Sequence, residues 1–327
     1  MRDKTYIIAE IGINFQGKFS ILKKLIINAK ESGADAVKFQ LFDPITLSYS
    51  KKNTINKNLY KLWKKMQLDK NKAKKIKDFC NEKKIDLYFS IFDDYSLKIL
   101  KKINHKKVKI ASSELNNIEL IKKISKFATD IILSTGMGSV REITKAVNIL
   151  KKKRLSILHC VSIYPTNIEK CNLNRMISLK KKFNKYKVGF SDHTIGINAS
   201  IASLLYGADV LEKHFTLNKK YKGADHNISA DSIDLKFITN FNNSLRNMLG
   251  SGNIEPTKEE KINRNKFRKG LYARSDIEKG DKFTESNICL RRPQNNFPID
   301  KLEIIFKKKS KRKMNSDDSI NLSDLVK

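Results

Sequence analysis

Residues 130–160 read DIILSTGMGSVREITKAVNILKKKRLSILHC. Two short runs rich in Ile and Leu, 130–135 and 155–160, flank a stretch over 140–150 whose apolar residues recur at helical spacing. Strand, helix and strand in that order form a βαβ unit, with a parallel pair joined by a right-handed crossover. The same rhythm extends outward in both directions. Further strands are expected at 6–12, 36–42, 86–92, 107–112, 187–192 and 209–216. A helix over 20–31 places Ile21, Leu22, Leu25, Ile26 and Ala29 on one face, and Asp231 is the expected cap of a last helix running toward Leu249. Eight such units within about 250 residues predict an α/β fold, a closed (β/α)8 TIM barrel, rather than an open doubly wound sheet. The open-sheet alternative favours a glycine-rich phosphate loop after the first strand. Residues 10–14 read EIGIN, without GxGxxG, and the chain has no Walker-type phosphate loop.

The barrel is expected to occupy residues 1–250. Residues 250–261, GSGNIEPTKEEK, show no periodicity, so 251–264 is read as a linker. Residues 265–327 then form a small β-rich domain, with short strands at 271–273 and 288–290 and a turn at 277–281. A module of that size gains stability by docking or oligomerising.

Composition narrows the function classes. The chain has 327 residues, 40% of them hydrophobic, enough for a substantial core. Its formal net charge is +33, and 56 of its 67 basic residues are Lys. That charge is spread evenly over both parts, whereas nucleic-acid readers concentrate Arg and aromatics on one face. A solvated Lys-rich surface is expected, with no nucleic-acid partner and a field that draws in anionic substrates. No apolar run approaches the roughly 20 residues of a membrane helix. The four cysteines lack CxxC spacing, and the first apolar stretch is too short for an export signal. They are read as reduced thiols of a cytoplasmic protein.

A (β/α)8 barrel carries its chemistry at the C-terminal ends of its strands. Those ends hold Glu10; Lys38 and Gln40, two apart and so on one side of their strand; Ser90; Lys109, Ser112, Ser113 and Glu114; and Ser134-Thr135-Gly136-Met137. They continue with His159-Cys160, Ser162, Tyr164, Ser191-Asp192-His193-Thr194, then Glu212, Lys213 and His214, with Asp225-His226 in the next loop. Lysines, hydroxyls and small turn residues suit an anionic phosphate or carboxylate. Two histidines on adjacent strands suit one divalent metal. A Schiff-base lysine at Lys38, Lys109 or Lys213 remains open on spacing alone, while a Ser-His-Asp hydrolase lacks its GxSxG elbow.

The segments IAEIG (8–12), GADAVKFQ (33–40), KIASSE (109–114), ILSTGM (132–137), LHCVSIYPT (158–166), GFSDHT (189–194) and LEKHFT (211–216) occur in order. Together they resemble the N-acetylneuraminate (sialic acid) synthase family, which includes legionaminate and pseudaminate synthases. LYARSDIEKGDKFTESNICLRRP (271–293) resembles that family's C-terminal antifreeze-like (SAF) domain. LHC and GADHNIS (223–229) look more like the sialic/legionaminic branch than the pseudaminic one.

The resemblance implies condensation of phosphoenolpyruvate with an N-acyl hexosamine, either N-acetylmannosamine or a diacetamido-dideoxy analogue. The products are a nine-carbon 2-keto acid and phosphate. It assigns His193 and His214 to a divalent metal (Mn2+, Mg2+ or Co2+). Lys38, Ser90, Lys109, Ser112, Ser134 and Ser191 match positions that hold phosphoenolpyruvate, with Ser162 counted among the substrate-binding residues. Gln40, Tyr164 and Asp225 match positions facing the amino sugar. Glu114 matches the carboxylate that handles the water proton, and Glu10 a strand-end acid in the pocket. The resemblance also implies a domain-swapped homodimer in which Arg292 meets the sugar's N-acyl group. The chain departs from the family pattern at FSIFD (89–93), at RPQNNF (292–297) and at Phe15. Other classes stay open beside this one: another phosphoenolpyruvate-condensing barrel, or a sugar-binding protein without activity.

Overall fold

The computed structural model describes residues 4–49, 56–223 and 225–326, so Ala224 of the GADHNIS segment lies outside the described residues. The chain divides into two units, Met1–Gly250 and Ser251–Lys327.

In the first unit eight strands close a barrel in sequence order. They are β1 (Tyr6–Gly12), β2 (Ala36–Leu41), β3 (Asp86–Ile91), β4 (Lys107–Ile110), β5 (Asp130–Ser134), β6 (Arg154–Cys160), β7 (Lys187–Asp192) and β8 (Val210–His214). Every neighbouring pair is parallel, and β8 closes on β1 with Glu10 opposite His214. The helices that return the chain are α1 (Phe19–Glu31), α2 (Lys57–Met66), α3 (Lys70–Glu82), α4 (Asp94–Lys102), α5 (Ile118–Phe127), α6 (Val140–Leu150), α7 (Asn174–Lys182), α8 (Asn198–Leu205) and α9 (Ser232–Leu249). Their ends follow local chemistry. Ser139 and Glu142 form a capping box at α6, and Asp231 and Asp234 form one at α9. Two expected strands run shorter than their apolar stretches. After β4 the chain turns at once into a 3-10 segment, Ser112–Glu114, and β8 stops at His214.

Side chains alternate across each strand, which splits the barrel's packing in two. Outward residues such as Ile7, Val37, Leu87, Ile131 and Leu211 join the helices in the main core. Inward residues Ile8, Ala36, Tyr88, Ile132, Leu158 and Val210 form a separate buried cluster across the axis. Below this plug, Tyr6 donates to Asp86 at 2.5 Å, and Asp86 pairs with Lys107 at 2.6 Å. Above it lie the strand ends that carry polar residues.

The second unit has its own core of Leu271, Ala273, Ile277, Phe283, Ile288, Phe297, Ile305, Met314 and Ile320. Its strands are short: β9 (Gly270–Ala273) pairs antiparallel with β10 (Ile288–Arg291), and β11 (Lys309–Ser310) with β12 (Leu325–Val326). One helix, α11 (Leu302–Ile305), lies between β10 and β11. The stretch read as a linker, 251–264, runs into a helix that its sequence did not announce. Residues Lys258–Phe267 form a helix, α10, started by a capping box between Thr257 and Glu260. Its sequence KEEKINRNKF is polar all round and buries nothing, so no apolar period marked it. In the RPQNNF turn Asn295 supplies the bracing. Its Nδ2 donates to the carbonyls of Leu271 and Ile320 at 2.6 and 3.1 Å.

Gly189 on β7 tests the closure of the barrel. A Cβ there would lie 1.9 Å from the Val210 carbonyl oxygen, so the neighbouring backbone of β8 would have to move. Gly189→Ala is expected to cost about 1–3 kcal/mol of unfolding free energy, the scale of overpacking a tight interior. Urea titration against the parent protein measures it.

Candidate active site

The polar strand ends converge on one cavity of about 370 Å³ inside the first unit. Its walls hold Glu10 of β1, Lys38 and Gln40 of β2, Ser90 of β3 and Lys109 of β4. Ser112, Ser134, Ser162, Tyr164, Ser191, His193, His214 and Asp225 complete the expected set within unit one, with Glu114 the single exception. The register explains the convergence: Lys38 lies between Glu10 and Tyr88 across β1 and β3, and Ser191 lies opposite Glu212 across β7 and β8.

The floor of the cavity is a set of paired charges. Lys38 Nζ sits 2.8 Å from Glu10 and 3.7 Å from Glu212, and it donates to Ser90 Oγ at 3.0 Å. Lys109 Nζ donates to Glu212 at 3.1 Å, and Ser191 Oγ donates to the same carboxylate oxygen at 2.8 Å. Gln40 donates to Glu10 at 3.1 Å. Both lysines and both glutamates are buried. The two carboxyls are driven apart. Burial pushes Glu10 up, against the pull of Lys38. Burial acts on Glu212 too, but the charges of Lys109 and Lys38 and the Ser191 hydroxyl hold it well below the usual carboxylate range. Burial lowers Lys109, whereas for Lys38 the charges of Glu10 and Glu212 overcome burial and raise it. Ser134 Oγ is buried in this wall with no hydrogen-bond partner among the described residues, an open donor on the cavity that the two lysines also line.

The opposite wall carries two imidazoles, their ring centres 5.7 Å apart. Burial holds both His193 and His214 down to about 4, so near neutral pH each ring keeps a lone pair. His193 Nδ1 donates to the Val161 carbonyl at 2.8 Å, which leaves Nε2 as its acceptor nitrogen. His214 Nδ1 is buried with no hydrogen-bond partner among the described residues and lies 3.7 Å from Asp225 Oδ2. This donor set fits a divalent ion held by two imidazoles, with coordination positions left for substrate oxygen or water. Among the described residues no cluster of three or more His, Cys, Asp or Glu side chains forms a ready-made cage. Tyr164 lies over His193, ring centres 4.2 Å apart, and closes that side.

Several residues sit elsewhere than the sequence suggested. Glu114 does not line the cavity: its carboxylate accepts from Ser113 Oγ at 3.2 Å and Asn117 Nδ2 at 3.0 Å on the turn after β4. Lys213 leaves the Schiff-base candidates, because alternation turns it outward to Asp192 while its neighbours Glu212 and His214 face inward. His159 is outward as well, bonded to the Cys171 carbonyl at 2.7 Å. Arg292 belongs to the second unit, exposed, with its guanidinium 5.5 Å from the ring centre of Phe267. Sequence reading named Glu212 at its strand end but gave it no role in the site. Its signal was present, since Glu212 and His214 stand two apart on one strand as Lys38 and Gln40 do. Cys160, named at the end of its strand without a role, and Trp63 of α2, which no motif marked, also line the wall.

Comparison with known proteins agrees with this arrangement. The family model described as NeuB family matches residues 25–254. The N,N'-diacetyllegionaminic acid synthase of Campylobacter jejuni is 39% identical, over 89% of this chain and 91% of that protein. A pseudaminic acid synthase of the same species is 34% identical, over 89% and 88%. Among solved structures, the N-acetylneuraminic acid (sialic acid) synthetase of Leptospira borgpetersenii in complex with citrate superposes with a TM-score of 0.73. It is 32% identical and covers 80% of this chain and 90% of that one. A family match over more than half the chain, with relatives of this identity along most of its length, means that the chain belongs to the NeuB family.

Proposed function

We propose that this protein condenses phosphoenolpyruvate with an N-acyl hexosamine aldehyde and water, giving a nine-carbon 2-keto sugar acid and phosphate. One observation carries the reading. A single cavity joins two buried lysines and an unpartnered Ser134 hydroxyl to two neutral imidazoles. Phosphoenolpyruvate is highly anionic, and its carboxylate and phosphate need fixed donors where water is excluded. Lys38, Lys109 and the hydroxyls of Ser90, Ser112, Ser134 and Ser191 supply them, while Ser162, 2.8 Å from Ser112, holds that hydroxyl in place. Gln40, Tyr164 and Asp225 orient the sugar. A divalent ion held by His193 and His214 supplies Lewis acidity at the sugar carbonyl.

The reaction joins C3 of phosphoenolpyruvate to the aldehyde carbon. Water adds at C2, and the tetrahedral adduct loses phosphate. Glu114 takes the water proton in this scheme, which requires its carboxylate to leave Asn117 when substrate enters the adjoining Ser112–Ser113 wall. Glu10, raised by burial, is the second carboxyl able to exchange a proton, and Glu212 stays an anion that fixes both lysines. No lysine needs to act as a nucleophile.

The acceptor proposed first is the diacetamido-dideoxy sugar, since the legionaminic relative named above is more similar than the pseudaminic one; N-acetylmannosamine stands second. The second unit is proposed as an antifreeze-like module whose Arg292 reaches the sugar in a partner's barrel, a reading that rests on the LRRP segment 290–293. The protein as purified, given phosphoenolpyruvate, Mn2+ and each sugar in turn, is expected to release phosphate with one of them; release with none overturns the proposal. Mg2+ and Co2+ are run beside Mn2+.

Three variants test the roles. His214→Ala is expected to abolish turnover with the fold retained by circular dichroism, and full activity after exhaustive chelation refutes its assignment. Glu114→Gln is expected to keep phosphoenolpyruvate binding and lose about 10²–10⁴ in kcat, the scale of general acid–base catalysis. A defect confined to phosphoenolpyruvate affinity makes Glu114 a binding residue instead. Arg292→Ala is expected to raise KM for the sugar far more than for phosphoenolpyruvate. Mixed with the Glu114→Gln chain it should regain part of the activity, and verified heterodimers without rescue exclude action across subunits.

A further inference from the structure

Two matched triplets stand at the ends of β7 and β8: Ser191-Asp192-His193, whose last residue follows β7, and Glu212-Lys213-His214. The register sets Ser191 opposite Glu212 and Asp192 opposite Lys213. Alternation sends the outer members of each triplet into the cavity and the middle members out, between the strands and α8. There Lys213 and Asp192 form an ion pair at 3.1 Å, their side chains 1% and 0% exposed. Lys213 Nζ also donates to the Thr194 carbonyl at 2.6 Å. Asp192 Oδ1 accepts from the Thr194 backbone N–H and hydroxyl, each at 2.8 Å, and its Oδ2 accepts from Ser200 Oγ at 2.5 Å. His193 is therefore bracketed. The residue before it bonds the residue after it, and Lys213, the neighbour of His214, ties both to β8.

We propose that the Asp192–Lys213 pair is a positioning device that holds the two imidazoles at the spacing a divalent cation requires. An ion pair this dry contributes little net stability, because the desolvation of two charges offsets their attraction. What it fixes is geometry. Both partners are adjacent in sequence to a proposed metal ligand, and the pair's hydrogen bonds to Thr194 and to Ser200 of α8 tie it to the turn that carries His193. Without it, the turn 192–194 keeps its sequence but loses contacts that brace the backbone on either side of His193, whose ring is also held by the Val161 carbonyl. The proposal rests on the metal reading of His193 and His214, and its test separates the two.

Metal-free protein is titrated with Mn2+, and the free ion is followed by its paramagnetic resonance signal. Thermal unfolding of each metal-free variant is recorded beside it. The parent is expected to bind Mn2+, and His214→Ala to lose that binding; a parent that binds none, or a His214→Ala that binds as well, overturns the metal reading and this proposal with it. Asp192→Asn/Lys213→Met removes both charges together, so no buried charge is left unpaired. Its Kd for Mn2+ is expected to rise about 10–100-fold, the usual effect of removing a group that orients a metal ligand. Lys213→Arg is expected to restore most of the affinity. A double variant that melts lower but binds Mn2+ with the parent's Kd makes the pair purely structural and overturns the proposal. If the double variant does not fold, Thr194→Ala serves in its place: a raised Kd supports the proposal and the parent's Kd refutes it.

Discussion

Two ammonium groups and two carboxylates cannot be taken out of water in one small space unless each finds an opposite charge within hydrogen-bonding reach. Lys38, Lys109, Glu10 and Glu212 meet that condition at distances of 2.8 to 3.7 Å, and much of the molecule answers to it. The four residues come from strands β1, β2, β4 and β8, far apart in sequence, so the closed sheet is what brings them together. The quartet is close to neutral as a whole. An anionic substrate therefore enters a site whose lysines are already engaged, and it competes with carboxylates rather than with solvent. Among the described residues, Ser134 Oγ and Trp63 Nε1 are buried donors on this cavity that the arrangement leaves without a partner.

The barrel uses the two faces of each strand for different work. On β7 and β8 the inward residues are those of the cavity, and the residues between them build a second, dry polar cluster on the outside. One face supplies groups that meet small molecules, and the other supplies groups that keep the first set still. A substitution at Asp192 or Lys213 thus touches the cavity without lining it. Gly189 belongs to the same logic, since only the absence of a side chain lets β7 approach β8 closely enough for both faces to register.

Much of this was legible in the sequence because the barrel repeats two simple periods. Eight apolar runs and the helices between them fixed the architecture, and residues two apart at strand ends, such as Lys38 and Gln40, fixed which side they share. Glu212 was named at the end of its strand but given no role, because it stands among three charged or titratable residues and its two-apart spacing with His214 was not used to sort them. Glu114 was placed on the wall because it follows Ser112 and Ser113, but a 3-10 turn rotates its carboxylate toward Asn117. Helix α10 escaped because a helix with no buried face leaves no apolar period, and its Thr257–Glu260 cap was the sole local mark. Trp63 enters from α2, outside any motif, and no spacing rule points to it.

The apolar plug of Ile8, Ala36, Tyr88, Ile132, Leu158 and Val210 has a consequence for traffic. It fills the barrel axis beneath Lys38 and Lys109, so among the described residues no passage runs along the axis below the cavity floor. Whatever binds at the floor must come in before whatever binds above it, and any fragment left at the floor must wait for the upper occupant to depart. The order of arrival and departure is then set by depth rather than by affinity. A bulky molecule resting at the rim stops the whole cycle without touching a single charged group.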